Sequence, residues 1–177
     1  MSDQGIPFKL SRESRIRIDR EGHVWHEGER VLHPGLARTL ARWIDIDDQG
    51  RYVMRNALDW CFVTVDHTPL VVRSVRLETD PRMCVEVELS DDTTEALDLG
   101  TVQVDPDGVV YAHVRGGKLL ARFDRQPSFK FLEHVETDDR GLMTFSLGSL
   151  TARIAPLERG ETLVPPAPPR RPFPGRA

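Results

Sequence analysis

The sequence predicts an α+β fold in which two related strand–helix–strand units form a largely antiparallel sheet with helices packed on it. Residues 16–25 read Ile-Arg-Ile-Asp-Arg-Glu-Gly-His-Val-Trp, and residues 102–111 read Val-Gln-Val-Asp-Pro-Asp-Gly-Val-Val-Tyr. Each copy precedes a predicted helix and then an acidic turn, at 47–50 and 138–141. Most of the remaining segments alternate apolar and polar residues, which is typical of half-buried strands.

The similarity between the two copies has two explanations. An apolar strand followed by an acidic turn and Gly is a common hairpin signature, so each copy could have arisen independently. Two blocks in the same order favour a duplication instead. Because a repeat array needs at least three units, a pair indicates two halves, at about 15–72 and 73–157, packed across a pseudo-twofold axis around one core.

The first predicted unit is a hairpin followed by a helix. Ile16 and Ile18 alternate with arginines, which is the period of a half-buried strand. Pro34 suits the first turn of a helix, where its missing N–H costs nothing. One face of this amphipathic helix, which is about eleven residues long, carries Leu36, Leu40, Trp43 and Ile44.

Strand-like segments account for most of the remaining chain. They are 51–55, 60–65, 70–78, 82–89, 102–114, 142–147 and 150–154. Apolar residues at helical spacing predict a second helix over 119–135, interrupted by Pro127. Its apolar stripe consists of Leu119, Leu120, Phe123, Phe131, Leu132 and Val135.

Length and composition predict one domain and a tail. The chain has 177 residues and a formal net charge of -4. A single globular unit over 15–157 suits that length. Residues 158–177 are rich in Pro and Arg and predict a flexible tail, because such a composition cannot build a core. The Pro-x-x-Pro spacings in the tail fit either a solvated segment or one that docks into an aromatic groove.

Charge and hydropathy exclude two classes of partner. Nucleic-acid binding needs clustered Lys and Arg, whereas the balance here is acidic. The apolar runs are far shorter than the roughly 20 residues that span a bilayer, and residues 1–10 do not resemble a signal peptide. We therefore expect a cytoplasmic protein. Cys61 and Cys84 indicate buried thiols in a reducing compartment, with a disulfide between adjacent strands as the alternative.

No motif predicts a catalytic, cofactor or metal site. Residues 45–50 resemble the start of a calcium loop, but Asn56 stands where the loop needs a bidentate carboxylate, so an acidic surface turn is expected. His23, His26 and His33 could meet only if the loop folded back, and their spacing matches no zinc rule. The chain has neither a Gly-x-Ser-x-Gly elbow nor a Walker loop. We predict no catalytic residues, no cofactor and no metal.

Arg73 is the candidate ligand-binding residue. In the strand that starts at Leu70 it shares a face with Val71 and Val75, so alternation predicts a buried arginine. A buried arginine must be paired or must bind an anion. Asp66, across the turn, is the candidate partner. An internal ion pair, exposure on an edge strand and contact with an anionic ligand are the three alternatives.

Four segments resemble the bacterial domain-of-unknown-function family 1285 (DUF1285). They are residues 16–28, the helix from Pro34, residues 65–70 and residues 111–122. In the family the turn at 65–70 usually reads acidic-acidic-x-Pro-Phe; His67 and Leu70 depart from it, so no role for an acidic pair is carried over. The resemblance covers most of 15–157. It implies a compact α/β fold of related halves, a signalling or regulatory role, and no established reaction.

The function expected from the sequence is a non-catalytic binding or regulatory module. The rival is an enzyme or small-ligand-binding protein that uses a cleft between the halves, with Arg73 and Asp66 in that cleft. A deep pocket with perturbed pKa values would favour the rival, and an exposed apolar patch would favour a protein partner. The expected partner is an unknown protein or a small ligand, and homodimerisation is left open.

Overall fold

A computed structural model describes residues 12–79 and 83–157, and within them the chain is mostly strand with two α-helices. The first elements are β1 (Ile16–Ile18), β2 (Val24–His26), β3 (Glu29–Arg30), α1 (Pro34–Arg42), β4 (Ile44–Ile46), β5 (Tyr52–Arg55), β6 (Trp60–Phe62) and β7 (Thr64–Val65). Then follow β8 (Leu70–Glu78), β9 (Cys84–Leu89), β10 (Thr94–Ala96) and a 3-10 helix (Leu99–Thr101). The last are β11 (Gln103–Val104), β12 (Val110–Val114), β13 (Leu119–Phe123), α2 (Arg125–Leu132), β14 (Val135–Thr137), β15 (Met143–Leu147) and β16 (Leu150–Pro156).

The described strands form three sheets. A large sheet has the order β10-β9-β8-β13-β12-β11-β16-β15-β14, and two smaller ones have the orders β3-β2-β1-β7 and β4-β5-β6. Among the described strand pairs, β1 with β7, β11 with β16 and β13 with β8 are parallel, and the others are antiparallel. The predicted α+β fold with largely antiparallel sheets is therefore confirmed. The predicted tail at 158–177 lies outside the described residues.

One pairing pattern occurs in both the first unit (residues 16–66) and the second unit (residues 103–157). Arg17 of β1 lies opposite Trp25 of β2 on one side and Thr64 of β7 on the other. In the second unit Gln103 of β11 lies opposite Tyr111 of β12 and Ala155 of β16. Strands β8 to β10 are inserted between the two units.

The two units also have matching turns. The N–H of Asp19 donates to the carbonyl of His23 at 3.0 Å, and the N–H of Asp105 donates to that of Val109 at 3.0 Å. After each helix, a short strand leads to the acidic turn. There the corresponding side chains, Asp47 and Asp138, each accept two backbone N–H groups within their turn.

Helix α1 begins where predicted and ends early. The Nδ1 of His33 accepts the N–H of Leu36 at 3.2 Å, and Pro34 follows in the first helical position. The helix has 9 residues, because the chain turns into β4 and places Ile44 opposite Met54 of β5. Leu36 is 49% exposed, so the predicted apolar face is only partly buried.

The prediction of a helical stripe at 119–123 is wrong. These residues form β13, which pairs with β12 on one side and β8 on the other. Four of its five side chains are buried. A short apolar run in a central strand cannot be distinguished from a buried helix by periodicity. The second helix starts at Arg125, with Pro127 in its first turn, and Val135 belongs to β14.

The buried apolar residues that the structure describes form one large cluster and a small second one of Tyr111, Leu120 and Leu157. Phe123, Phe131 and Phe145 are all buried. The ring centroid of Phe131 lies 5.8 Å from that of Phe123 and 4.8 Å from that of Phe145. Cys61 and Cys84 are free, partly buried thiols. Within the described ranges, no helix has the length and apolar character needed to cross a bilayer.

Candidate functional site

Arg73 lies at an irregularity in β8. Val72 is opposite Leu89 of β9, whereas Ser74 is opposite Glu88, so Arg73 is an extra residue that faces no partner in the ladder. Such a bulge re-aims the side chain and breaks the alternation of the strand. Arg73 is consequently exposed while Val75 is buried. Of the alternatives given above, Arg73 is therefore exposed, although β8 lies between β9 and β13 and is not an edge strand.

The structure gives Arg73 and Asp66 different partners. The guanidinium of Arg73 donates to Oδ2 of Asp124 at 2.6 Å and to the carbonyl of Glu21 at 2.7 Å. Asp66 forms its ion pair with Arg17 of β1. The predicted pair of Arg73 with Asp66 is therefore wrong: Arg73 joins β8 to the β1–β2 turn and to the start of α2.

Arg73 lines a cleft between the first unit and the central strands. The cleft has a volume of about 440 Å³ and is bounded by β3, α1, the β1–β2 turn and the turn after β9. We call it the arginine cleft. Its titratable lining residues are Arg30, Arg38, Arg73, His23 and Asp92. The cleft does not include Asp66, so only one of the two predicted ligand-binding residues lies in it.

The arginine cleft has more positive than negative charge. Arg38 is paired with Asp92 and Arg73 with Asp124. The guanidinium of Arg30 forms neither an ion pair nor a hydrogen bond with any residue of 12–79 or 83–157. An arginine offers five donors in a planar fork that matches carboxylate and phosphate oxygens. Arg30 therefore brings an unused anion-binding group to the cleft.

A larger cavity of about 610 Å³ lies at the ends of β5 and β6. Its charged lining residues are three arginines and three aspartates, so their formal charges sum to zero. Arg12 pairs with Asp59, and Arg51 pairs with Asp47 at 2.8 Å. Leu58 stands at its rim and is 95% exposed. This cavity therefore offers less free charge to a ligand than the arginine cleft does.

His67, Tyr111 and Asp105 form a second polar group, between the first unit and the β11–β12 hairpin. The Nε2 of His67 lies 3.1 Å from the hydroxyl of Tyr111, which donates to Oδ2 of Asp105 at 3.4 Å. Burial, with the charges of Arg20 and Arg122, holds the pKa of His67 below its ordinary value. Burial and the charge of Asp105 raise the pKa of Tyr111.

Of the three histidines considered above as zinc ligands, His23 and His33 form local hydrogen bonds, with the Asp19 carboxylate and with the N–H of Leu36. Asp19, Glu21 and His23 bring ligand atoms within 4.8 Å of one another, and this group includes neither His26 nor His33. The Asp19 carboxylate accepts the N–H groups of Glu21 and His23 and the indole N–H of Trp25. It thus holds the β1–β2 turn, just as His33 caps α1.

Sequence reasoning missed Arg30, Arg38 and Ser90. Arg30 and Arg38 lie on β3 and α1, and Ser90 meets them only because the turn between β9 and β10 lies beside α1. No local spacing encodes that proximity. The one available signal was Arg73 itself, a charge on the face of its strand that also carries Val71 and Val75.

No family model and no curated protein matches the chain. Solved structures match it over most of its length. A DUF1285 family protein from Silicibacter pomeroyi DSS-3 has a TM-score of 0.66 at 18% identity, covering 88% of this chain and 90% of that one. A DUF1285 family protein from Shewanella baltica OS155 has a TM-score of 0.58 at 19% identity, covering 70% and 94%. The chain therefore has the fold of DUF1285 family proteins.

Proposed function

We propose that this chain is a non-catalytic binding protein with a regulatory role, and that the arginine cleft binds an anionic group. The observation that carries the proposal is the guanidinium of Arg30, which has no partner among the described residues, in a cleft that already holds Arg38 and Arg73. Arg38 and Arg73 already have carboxylate partners, so an anion attracted to the cleft would neutralise the remaining charge of Arg30. A carboxylate or phosphate would be that anion.

The size and shape of the cleft support the same function. Ligand sites in proteins commonly have volumes of about 300–1,000 Å³, and this cleft has about 440 Å³. Apolar side chains of Val31, Ala37 and Ala41 line it together with the arginines. An apolar wall lowers the local dielectric, which strengthens the attraction between an arginine and an anion.

Ligand-detected thermal shift tests the proposal. The full chain is screened with inorganic phosphate and with a library of carboxylate and phosphate metabolites and nucleotides. Arg30→Gln should remove the ligand-induced rise in Tm without lowering the Tm of the free protein, since Arg30 has no ion-pair partner among the described residues. Arg153→Gln is the matched control, because Arg153 is exposed on β16 and lies outside the cleft. An unchanged shift in Arg30→Gln would refute the site.

The alternative function is an enzyme that works at the contact between the units. The perturbed pKa values of His67 and Tyr111 favour it, because catalytic groups are often perturbed in this way. If a compound from the screen is converted to product, loss of conversion in His67→Gln would support the enzyme. Retained conversion in that variant would exclude the role of His67.

We infer further that the two units are related halves of one globular body. Three observations support this: the matching registers of β1 with β2 and β7 and of β11 with β12 and β16, the matching turn hydrogen bonds at Asp19 and Asp105, and the same order of elements. Independent hairpins would share a turn but not a parallel closing strand. Superposition of 16–66 on 103–157 tests the relation, and it should bring β1–β7 onto β11–β16 in one rotation.

A further inference from the structure

The second unit closes the space between its helix and its sheet with two aromatic rings. Phe131 of α2 and Phe145 of β15 are fully buried, and their ring centroids lie 4.8 Å apart with 15° between the ring planes. Stacked rings of this kind fill a core at the density of protein interiors. A gap is expected wherever smaller side chains take the same two positions.

In the helix of the first unit, Leu40 occupies the position that Phe131 has in the second. Both helices end with the same hydrogen bond. The N–H of Trp43 donates to the carbonyl of Leu40 at 3.1 Å, and the N–H of His134 donates to that of Phe131 at 3.1 Å. In each unit the strand after the helix begins four residues beyond this position. Leu40 is only half-buried, whereas Phe131 is buried.

In the sheet of the first unit, Met54 occupies the position that Phe145 has in the second. Met54 lies opposite the first residue of β4 and opposite Cys61 of β6. Phe145 lies opposite the first residue of β14 and opposite Ala152 of β16. The first unit therefore has two aliphatic side chains, one of them a thioether, where the second unit has two rings.

A pocket of about 150 Å³ lies at these two positions, and we call it the tryptophan pocket. Its apolar lining residues are Ile16, Leu40, Trp43, Met54, Trp60 and Cys61. Asn56, Asp59 and Trp60 also line the cavity of about 610 Å³ described above, so the pocket and that cavity adjoin. The tryptophan pocket shares no lining residue with the arginine cleft. An apolar cavity of about 150 Å³ holds one benzene-sized ring.

We propose that the tryptophan pocket binds the aromatic ring of a small molecule, in the place that a phenyl ring of the core fills in the second unit. Trp43 and Trp60 can contact such a ring edge to face, and the thioether of Met54 makes favourable contacts with aromatic rings. Polar substituents on the ring extend into the adjoining cavity, where Gln49 and Arg51 can form hydrogen bonds with them. The ligand class is a flat aromatic compound with a polar substituent.

Phenol serves as the probe and the thiol of Cys61 as the reporter, in the full chain with Cys84→Ser as the background. Cys61 lines the tryptophan pocket, so a bound ring should shield its thiol from iodoacetamide. At a phenol concentration about ten times its Kd, alkylation of Cys61 should slow about tenfold, because only the free protein reacts. The Tm measured by circular dichroism should rise as well, because a ligand that binds only the folded chain stabilises it.

A variant that fills the pocket tests where the ring binds. Leu40→Phe with Met54→Phe places the two rings of the second unit in the first, and it should keep the Tm of the background while losing both effects of phenol. Leu36→Phe is the matched control, because Leu36 lies on the same helix, is 49% exposed and does not line the pocket. If the double variant does not fold, Leu40→Phe alone replaces it, since Leu40 is half-buried.

Each outcome decides the proposal. Protection of Cys61 in the background and in Leu36→Phe, with none in the filled variant, supports it. The absence of any effect at about 10 mM phenol overturns it, because a Kd of about 1 mM lies within the binding energy per atom that ligands of this size reach. An equal effect on the filled variant places the ring elsewhere and also overturns it. So does a dimer that shields Cys61 without phenol and dissociates when the pocket is filled. Arg30→Gln should respond to phenol like the background, which separates this site from the arginine cleft.

Discussion

At the scale of single residues, two carboxylates hold the matching hairpin turns. Asp19 accepts the indole N–H of Trp25 at 2.7 Å, and Asp105 accepts the hydroxyl of Tyr111 at 3.4 Å. Burial raises the pKa of Asp19, but the hydrogen bonds from Trp25 and His23 outweigh it, so that pKa lies below its ordinary value. The ionised carboxylate is thus part of the fold.

We expect Trp25→Phe to destabilise the protein and raise the pKa of Asp19. A hydrogen bond to a charged group contributes about 1.5–3 kcal/mol, and the longer bond from Tyr111 contributes less. Urea unfolding of Trp25→Phe and Tyr111→Phe measures the two losses, and carboxyl NMR follows the titration of Asp19. Equal losses in the two variants would show that the indole bond is not the stronger one.

Two histidines make the stability depend on pH. Burial lowers the pKa of His67, helped by Arg20 and Arg122, and burial alone lowers that of His113, whose Nε2 is buried without a hydrogen-bond partner among the described residues. Below about pH 6.5 these two histidines bind protons in the unfolded chain more readily than in the folded chain. This contribution to stability is complete above that pH and is lost as the pH falls towards the folded pKa values.

The unfolding free energy should therefore fall between about pH 7 and pH 5. Urea unfolding at several pH values measures the slope, and the double variant His67→Gln, His113→Gln should flatten it. His26→Gln is the control, because His26 is exposed on β2. If the double variant keeps the slope of the parent, other groups cause the pH dependence.

At the scale of elements, one arginine fixes the end of α1. Arg115 donates to the carbonyls of Ala41 at 3.3 Å, Arg42 at 3.2 Å and Ile44 at 2.9 Å. It also pairs with Asp91, which is fully buried. A cation near the last carbonyls of a helix is stabilised by their partial negative charge. Arg115, which directly follows β12 of the second unit, thus joins that unit to the helix of the first.

We expect Arg115→Met to cost about 3–5 kcal/mol, because it leaves the carboxylate of Asp91 buried and unpaired. Arg115→Met with Asp91→Asn should recover part of that loss. Urea unfolding of the three variants and the parent gives the coupling energy. Arg76→Met, which breaks the exposed pair with Glu86, is the control and should cost at most about 1 kcal/mol. If the losses in unfolding free energy of Arg115→Met and Asp91→Asn add up to the loss of the double variant, Arg115 acts through the carbonyls alone.

The acidic turn at 47–50 should not bind calcium tightly. Its Asp47 carboxylate already accepts the N–H groups of Gln49 and Arg51 and pairs with the Arg51 side chain. Calorimetry with calcium and with zinc should find no stoichiometric site tighter than about micromolar, the range of calcium sensors. A one-to-one isotherm that disappears in Asp47→Asn would contradict this.

The elements predicted well are those whose signals are local. His33 and Pro34 start α1, and the turns that begin at an Asp and end three residues later at a Gly end their strands where expected. The errors concern tertiary contacts. The strand β13 looks helical because it is buried on both faces, and the bulge at Arg73 depends on how β8 meets β9. Periodicity within one segment carries no information about its neighbours.

At the scale of the whole molecule, the fold class was predictable and the candidate site was predictable only through Arg73. The class follows from many alternating segments that each bury one face. The arginine cleft depends on where separate elements meet: Arg30 on β3, Arg38 on α1 and Arg73 on β8. Asp66 failed as a partner because Arg17, on the neighbouring β1, already pairs with it. A single sequence does not state such long-range proximity.

The positions of the tryptophans allow intrinsic fluorescence to follow the unfolding of one part of the molecule. Trp25, Trp43 and Trp60 are the three tryptophans of the chain, and all precede β8, so intrinsic emission observes the first unit alone. Circular dichroism in the far ultraviolet observes both. β8 pairs with β13, and Arg115 donates hydrogen bonds to carbonyls at the end of α1. We therefore expect the urea transitions followed by tryptophan emission and by circular dichroism to coincide, as in all-or-none unfolding. In Arg115→Met the tryptophan emission should change at a lower urea concentration than the circular dichroism. If the two transitions still coincide in that variant, β8 alone couples the two units.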